Sequence, residues 1–295
     1  MLKAGIFLDT ENLSHCGGWG MNVEILRRLC EAQGAVVVRA NAYLAVDEQR
    51  ERDPQNPDYG RKKQGFRAAL RRAGFHVVAK PVRRWHNPDG NVNTKADADI
   101  DIAVDAMLQA ENLDRILLGT GDGDFTVLVR ALQSRGRRVD LVAFSNVSGE
   151  LRREVDTFFD GYLIPGLLEV RGGPQRRRGV LHSVEEQRGF GFLTHHTGLG
   201  QDAENGDLFL HINDLEGGRY NNEEFARLRS ARDTYIEFDV DHAGDKPRAV
   251  RASVFRPLEP AVAGAGEEPA VAGAGEEAAA AGAEVAAADA GEERD

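Results

Sequence analysis

The stretch Arg115-Ile116-Leu117-Leu118-Gly119-Thr120-Gly121-Asp122-Gly123-Asp124-Phe125 carries a short apolar run into two carboxylates and out into a helical pattern that continues to Arg135. A short apolar run of this kind suits a strand covered on both faces, and helices are what cover it. The same texture repeats outward along residues 1–165. Residues 4–8, 35–44, 75–82 and 138–144 read as further strands, and 22–31, 60–73, 97–110 and 125–135 as helices between them. Strands alternating with helices predict an α/β domain, a mostly parallel sheet with helices on both faces.

From residue 176 to 254 the texture changes to strand-like runs punctuated by glycine, at 179–184, 189–194, 207–212, 235–240 and 248–255. Five short strands without long helices predict a small all-β barrel. Arg171-Gly172-Gly173-Pro174 reads as the linker, because glycine and proline punctuate and the apolar pattern lapses there. The expected organisation is therefore an α/β domain over 1–170, a linker over 171–178, a barrel over 179–256 and a tail over 257–295. Within the tail, residues 260–268 read PAVAGAGEE and 269–277 read PAVAGAGEE again, a composition that builds no core and is expected to be disordered.

With 295 residues and 41% hydrophobic content the chain can fill a core. The net charge of −11 misleads, because the stretch from Leu258 onward holds ten acids and one base. Residues 1–175 balance, with 24 basic and 24 acidic side chains, so an anionic ligand is not excluded. No apolar run approaches the ~20 residues of a membrane span, and the opening strand runs into Asp9 rather than a cleavage site. A soluble, cytoplasmic protein is expected. Cys16 and Cys30 are the only cysteines, which excludes a disulfide framework and a cysteine zinc cluster.

In an open parallel sheet, ligands collect at the carboxyl ends of the strands, and the acids stand there. Asp9 ends the first strand; Asp122 and Asp124 follow the strand at 115–119; Asp97, Asp99, Asp101 and Asp105 punctuate the helix at 97–110, whose expected buried stripe is Ile100, Ala103, Val104, Met107 and Leu108. Converged, such carboxylates would suit a hard divalent cation that keeps waters and phosphate oxygens as further ligands. The plainer account is that Asp122 or Asp124 caps a helix and that Asp97 and Asp101 are solvated helix-start charges.

The motifs Gly5-Ile6-Phe7-Leu8-Asp9-Thr10-Glu11-Asn12-Leu13, Lys95-Ala96-Asp97-Ala98-Asp99-Ile100-Asp101 and Thr120-Gly121-Asp122-Gly123-Asp124-Phe125, in that order, resemble the NYN domain family, relatives of PIN nucleases. The resemblance covers roughly the first 165 residues. It implies a PIN-like α/β fold and a metal-dependent ribonuclease site, with Asp9, Asp99, Asp122 and Asp124 holding Mg²⁺ or Mn²⁺ and Asn12 and Lys95 at the matching polar and basic positions. Thr120 stands where the family often has serine. The first and third motifs also echo haloacid-dehalogenase-like phosphatases, but Glu11 occupies the position where that family has a second aspartate, and no cap insertion is evident.

Between Tyr59 and Pro88 there is no Asp or Glu, while Arg61, Lys62, Lys63, Arg67, Arg71, Arg72, Lys80, Arg83 and Arg84 are basic. Lys63, Arg67 and Arg71 stand one helical turn apart, a face that can follow a phosphate backbone, and Trp85 and His86 could add stacking. In the second module, Arg188-Gly189-Phe190-Gly191-Phe192-Leu193 and Leu208-Phe209-Leu210-His211 place Phe190, Phe192, Phe209 and His211 on one sheet face, with Leu193, Val180, Leu208 and Leu210 inward. Over 179–254 this order resembles a cold-shock domain, an OB-fold binder of single-stranded nucleic acid. Ser183 stands where that family has a stacking tryptophan and Val184 where it has phenylalanine, and Arg176, Arg177 and Arg178 would compensate with phosphate contacts. His195 and His196, adjacent on a strand, point to opposite faces and are assigned no ligand role.

The reading favoured by the sequence is a metal-dependent ribonuclease acting on single-stranded RNA, captured by the cold-shock-like barrel. The competing one is a non-catalytic RNA-binding regulator using the same surfaces. Single-stranded RNA is the expected partner, no membrane is expected, and a homo-oligomer is left open.

Overall fold

The computed structural model describes residues 1–86, 92–95, 98–200, 205–217, 220–231, 233–243 and 246–257, with the backbone alone at 83–86, 92–95 and 205. Asp97 and the repeat-bearing tail, expected to be disordered, lie outside the described residues. So do the side chains of Lys95, Arg83, Arg84, Trp85 and His86.

The α/β part runs β1 (Leu2–Asp9), α1 (Thr10–Leu13), a wide turn (Ser14–Gly18), α2 (Glu24–Ala32), β2 (Ala35–Val46), α3 (Glu48–Glu51), α4 (Pro57–Arg72), β3 (His76–Pro81), the hairpin strands β4 (Arg83–His86) and β5 (Val92–Lys95), α5 (Asp99–Gln109), β6 (Arg115–Gly119), α6 (Thr126–Ser134), β7 (Arg138–Ala143), α7 (Gly149–Glu154) and β8 (Thr157–Asp160). Six strands form one sheet in the order β3-β2-β1-β6-β7-β8, every neighbouring pair parallel. Alternation along β1 splits the core between two faces. Ala4, Ile6 and Leu8 pack with Ile25, Leu26 and Leu29 of α2 and Leu70 of α4, while Phe7 packs with Ile102 and Ala106 of α5 and Leu128, Val129 and Leu132 of α6. The chain moves outward from β1 in one direction and from β6 in the other, so the gap between them is the switch point of the sheet.

Helix α5 presents a different face from the one its apolar pattern predicts. Ile102 and Ala106 are buried, whereas Ile100, Val104 and Leu108 are 70%, 49% and 69% exposed. Two polar contacts hold that orientation: Tyr43 donates its hydroxyl to Asp105 over 2.7 Å, and Lys80 pairs with Asp101 at 2.8 Å.

The second part closes into an OB-like barrel of five strands, β9 (Arg177–Glu185), β10 (Phe190–His196), β11 (Asn205–His211), β12 (Tyr235–Asp241) and β13 (Arg248–Phe255), in the order β10-β11-β13-β12-β9. Helix α8 (Asn222–Ser230), which no strand pattern announced, starts on a capping box between Asn221 and Glu224 and buries Phe225 and Leu228 in the barrel core. Leu193, Leu208 and Leu210 face inward as expected, but Val180 does not. A bulge in β9 pairs Phe192 with Ser183 and Leu193 with Leu181, so Leu181 takes the inner place and Val180 packs against the cluster that joins Tyr235 to the core of the α/β part.

That packing belongs to a seam. The described residues through 257 belong to one compact unit, and the two parts are clamped together by contacts beyond the 171–174 stretch. Tyr162 packs at a tilt against Tyr235 of β12 with ring centroids 4.9 Å apart and lies 5.9 Å from Phe255 of β13. Tyr235 donates its hydroxyl to Asp160 at 2.9 Å. Arg178 is buried in an ion pair with Glu237 at 2.5 Å, reaches the carbonyl oxygens of Tyr162 and Glu169, and lies over the Phe255 ring at 4.1 Å. Arg176 donates to the carbonyls of Glu237 and Arg251. Of the three arginines expected to meet phosphate, Arg176 and Arg178 are therefore committed to the barrel and its seam, and Arg177 alone is exposed.

Candidate nucleic-acid site

The site is assembled where the ends of β1 and β6 meet. β1 delivers Asp9, whose side chain is almost fully enclosed and caps α1 by accepting the Asn12 N–H at 3.0 Å. β6 delivers buried Thr120, whose hydroxyl accepts the Asp122 N–H, and then Asp122, which caps the turn Gly123–Phe125 by accepting the Asp124 N–H at 3.0 Å. The two motifs are tied directly: the Asn12 carboxamide oxygen accepts the Gly121 N–H at 2.7 Å. The loop after β7 closes over them, with Ser148 N–H bound to the Gly121 carbonyl and Ser145 N–H to the Cys16 carbonyl. Tyr162 reaches the same Cys16 carbonyl with its hydroxyl, which also lies 3.1 Å from the Ser145 hydroxyl.

The electrostatics of Asp9 record how close the acids have come. Burial is the largest effect and pushes its carboxyl above the ordinary value; the charges of Glu11 and Asp122 push the same way, against the bonds from the Asn12 N–H and Thr120. Burial likewise raises the Cys16 thiol, with Asp9 and Asp122 adding to it, which puts Cys16 beside the pair. Cys16 and the Ser145–Ser148 loop are parts of this site that the sequence did not single out, and Glu11, weighed there only against the phosphatase motif, adds its charge to Asp9.

The remaining acids are distributed otherwise. Asp124 is exposed, and Asp99 is half-buried in the first turn of α5. Asp101 and Asp105 are engaged by Lys80 and Tyr43. Among the described residues, no three His, Cys, Asp or Glu side chains stand close enough to enclose a metal ion by themselves. The Asp9–Asp122 pair nonetheless fits a hard dication by the chemistry of its donors. Both donors are carboxylate oxygens, Asp9 is raised chiefly by burial with Glu11 and Asp122 adding negative charge that a cation would neutralise, and Mg²⁺ binds commonly through one or two carboxylates with water and phosphate completing its shell.

The basic strip is free of acids only along the chain. In space, Arg67 makes two hydrogen bonds to Glu51, of 2.7 and 2.6 Å, and is only 13% exposed, so it fastens α4 to α3 instead of facing a phosphate. Arg61 pairs with Asp58 at 3.4 Å. Lys63 lies between the rings of Tyr59 and Trp19, and Arg71 remains exposed on the last turn of α4.

On the barrel, Phe190, Phe192 and Phe209 gather on the outer face as expected, with ring centroids 5.4 to 6.1 Å apart. Arg188 lies over Phe190 at 5.2 Å, and Ser183 stands opposite Phe192. His211, across from Phe190, accepts the Asn213 N–H on its Nδ1. His195 is buried and His196 half-exposed, on opposite faces of β10.

A six-stranded parallel sheet whose switch point carries a carboxylate pair defines a PIN-like α/β protein, here with an OB-like barrel attached. Residues 3–168 match the NYN domain family, which is more than half of the chain, and the chain belongs to that family. It is 26% identical over 181 residues to the low amplitude and bright protein LabA of Synechococcus elongatus, an alignment spanning 59% of this chain and 91% of that one. A crystal structure of a protein of unknown function from Vibrio parahaemolyticus covers 54% of the chain and 92% of its own length, with 28% identity and a TM-score of 0.44. No helix among the described residues is long and apolar enough to cross a membrane.

Proposed function

We propose that this protein is a metal-dependent ribonuclease of the NYN family that acts on single-stranded RNA. The observation that carries the reading is the pairing of Asp9 with Asp122 at the switch point, fixed by the Asn12–Gly121 hydrogen bond. Asp9 and Asp122 would hold Mg²⁺ or Mn²⁺, with Asp99, Asp124 and Lys95 as further contributors from the neighbouring motifs. Such an ion supplies an activated water and neutralises the developing charge of a phosphodiester. The chain's own part is positional. Asn12 locks the two acid-bearing turns in register, and Thr120 orients Asp9 and the Asp122 backbone together. The barrel, proposed here to be cold-shock-like, offers Phe190, Phe192 and Phe209 for base stacking, with Arg188 beside them for phosphate.

A non-catalytic RNA-binding regulator is the second reading. It is favoured by the commitment of Asp101 and Asp105 to other partners and by the lack, among the described residues, of an enclosed set of ligating side chains. Incubation of the purified protein with labelled single-stranded RNA, in Mn²⁺ and in EDTA, separates the two. Under the nuclease reading RNA is cut in Mn²⁺ alone, and Asp122→Asn abolishes cutting while RNA affinity stays near the parent's, since a carboxylate is lost with almost no change of volume. RNA bound but intact in both solutions leaves the regulator; equal cutting by Asp122→Asn removes the acid pair from the chemistry.

A further inference from the structure

Tryptophan 19 is 56% exposed, although a ring of that size ordinarily finds cover. It is placed there firmly. The turn Ser14–Gly18 begins five residues after Asp9 and ends just before Trp19, and it is pinned from beneath. Gly17 has φ of +105°, and a Cβ added there would lie 1.9 Å from the Tyr162 hydroxyl. The ring therefore projects from a fixed backbone, and its exposure is a property of the turn.

Cations and a second ring stand beside it. Lys63 Nζ is 5.8 Å from the centre of the Trp19 ring and 5.5 Å from that of Tyr59, one turn away on α4, and the Arg50 guanidinium lies over Tyr59 at 4.4 Å. The start of α4 is held against α3 without slack. A Cβ at Gly60 would come within 2.1 Å of the Glu51 carbonyl oxygen, and Glu51 also holds Arg67. Arg50, Tyr59, Lys63 and Trp19 thus form an alternating series of cation and ring between two rigidly anchored segments. Both segments leave the carboxyl ends of their strands, β1 for Trp19 and β2 for α3 and α4, the edge of the sheet on which Asp9 and Asp122 stand.

We infer that this series is a stacking platform for a base of single-stranded RNA, with Trp19 as the ring and Lys63 and Arg50 as partners of the flanking phosphates. Ring faces accept any base, and cations at this spacing add both cation–π and phosphate attraction. An apolar protein partner would be matched poorly by two cations set against the rings. The inference rests on the RNA reading above and gives that site a second point of grip, on the α/β part itself and separate from the phenylalanine face of the barrel.

The chain has two tryptophans, Trp19 and Trp85, so Trp85→Phe leaves Trp19 as the only one. In EDTA, a 2′-O-methyl single-stranded oligoribonucleotide, which cannot be cut, is titrated into the Trp85→Phe protein while emission is followed, and a dye-labelled copy reports affinity by anisotropy. Trp19 emission should be quenched along the same isotherm as the anisotropy. Trp19→Ala should weaken binding about 5- to 150-fold, and Trp19→Phe should keep most of it. An oligonucleotide bound with unchanged affinity by Trp19→Ala, and without effect on Trp19 emission, overturns the platform while leaving the RNA reading standing; the exposed ring would then point to a protein partner. No binding by any form overturns both.

Discussion

Replacing Arg178 with Met should cost more stability than any change on the surface of this protein. The guanidinium is 3% exposed and its partner Glu237 2%, so the variant leaves a carboxylate in the seam with its counter-charge gone. Removing one member of a buried pair costs about 3–5 kcal/mol, because the stranded charge keeps its desolvation penalty. For a unit of this size that corresponds to a fall in Tm of roughly 6–20 °C, at about 2–4 °C per kcal/mol. The double variant Arg178→Met/Glu237→Leu removes the stranded charge as well. What then remains is the loss of the donors to the Tyr162 and Glu169 carbonyls, about 1–3 kcal/mol for each acceptor left buried without a partner, together with the lost contact over Phe255. The double variant should therefore melt above the single one. Thermal and urea unfolding of the parent and the Arg178→Met, Glu237→Leu and double variants complete the cycle. A single variant that loses less than about 1 kcal/mol, or a double variant no better than the single, would refute the buried pair between strands β9 and β12 as a source of this stability.

Two further outcomes follow from the site. Folding raises the Asp9 carboxyl above its ordinary value of 3.8, so the folded form holds its proton more tightly than the unfolded chain, and stability falls as pH climbs from about that value through the raised one. Asp9→Asn, whose carboxamide oxygen can still cap α1, should accordingly stabilise the protein in EDTA at pH 7, with the gain shrinking toward zero near pH 3.8; a gain independent of pH would show that charge is not its source. On the basic helix, Arg71→Gln should reduce the slope of log affinity against log salt by about one, whereas Arg67→Met should leave that slope unchanged and lower Tm by stranding Glu51. The reverse pattern would place the phosphate contact at Arg67.

The parallel sheet was legible because burial on both faces leaves a plain mark. Ala4, Ile6 and Leu8 serve one face and Phe7 the other, so the run is apolar without alternation, and an acid at its end locates the switch point. The barrel was legible for the opposite reason: Phe190, Gly191, Phe192 and Leu193 alternate, as a strand with one wet face must. What was hidden depends on partners far along the chain. The face presented by α5 is decided by Tyr43 and Lys80, which no periodicity within α5 records. The counter-charge of Arg67 is Glu51, sixteen positions back and outside the acid-free window. A single bulge moved Val180 from one core to the other. Strand β8 has four half-buried residues and no pattern to announce it, while α8 did carry a signal, Asn221 followed three residues later by Glu224. In the site, the acids and Asn12 were readable as residue types, but their convergence depends on a carboxamide bridging positions 12 and 121.

The seam also sets an order of events during synthesis. β8 ends at Asp160 and β13 ends at Phe255, 95 positions later. At about 5–20 residues per second the ribosome needs roughly 5–20 s to cover that distance, and domains fold as units while it does so. Throughout that interval the sheet can already be formed, yet Tyr162, only 3% exposed in the finished protein, still lacks the barrel residues Tyr235 and Phe255 that cover it. The nascent chain thus passes through a state with an aromatic edge uncovered, and a chain stopped at residue 168, where the family match ends, would keep that edge bare for its whole lifetime.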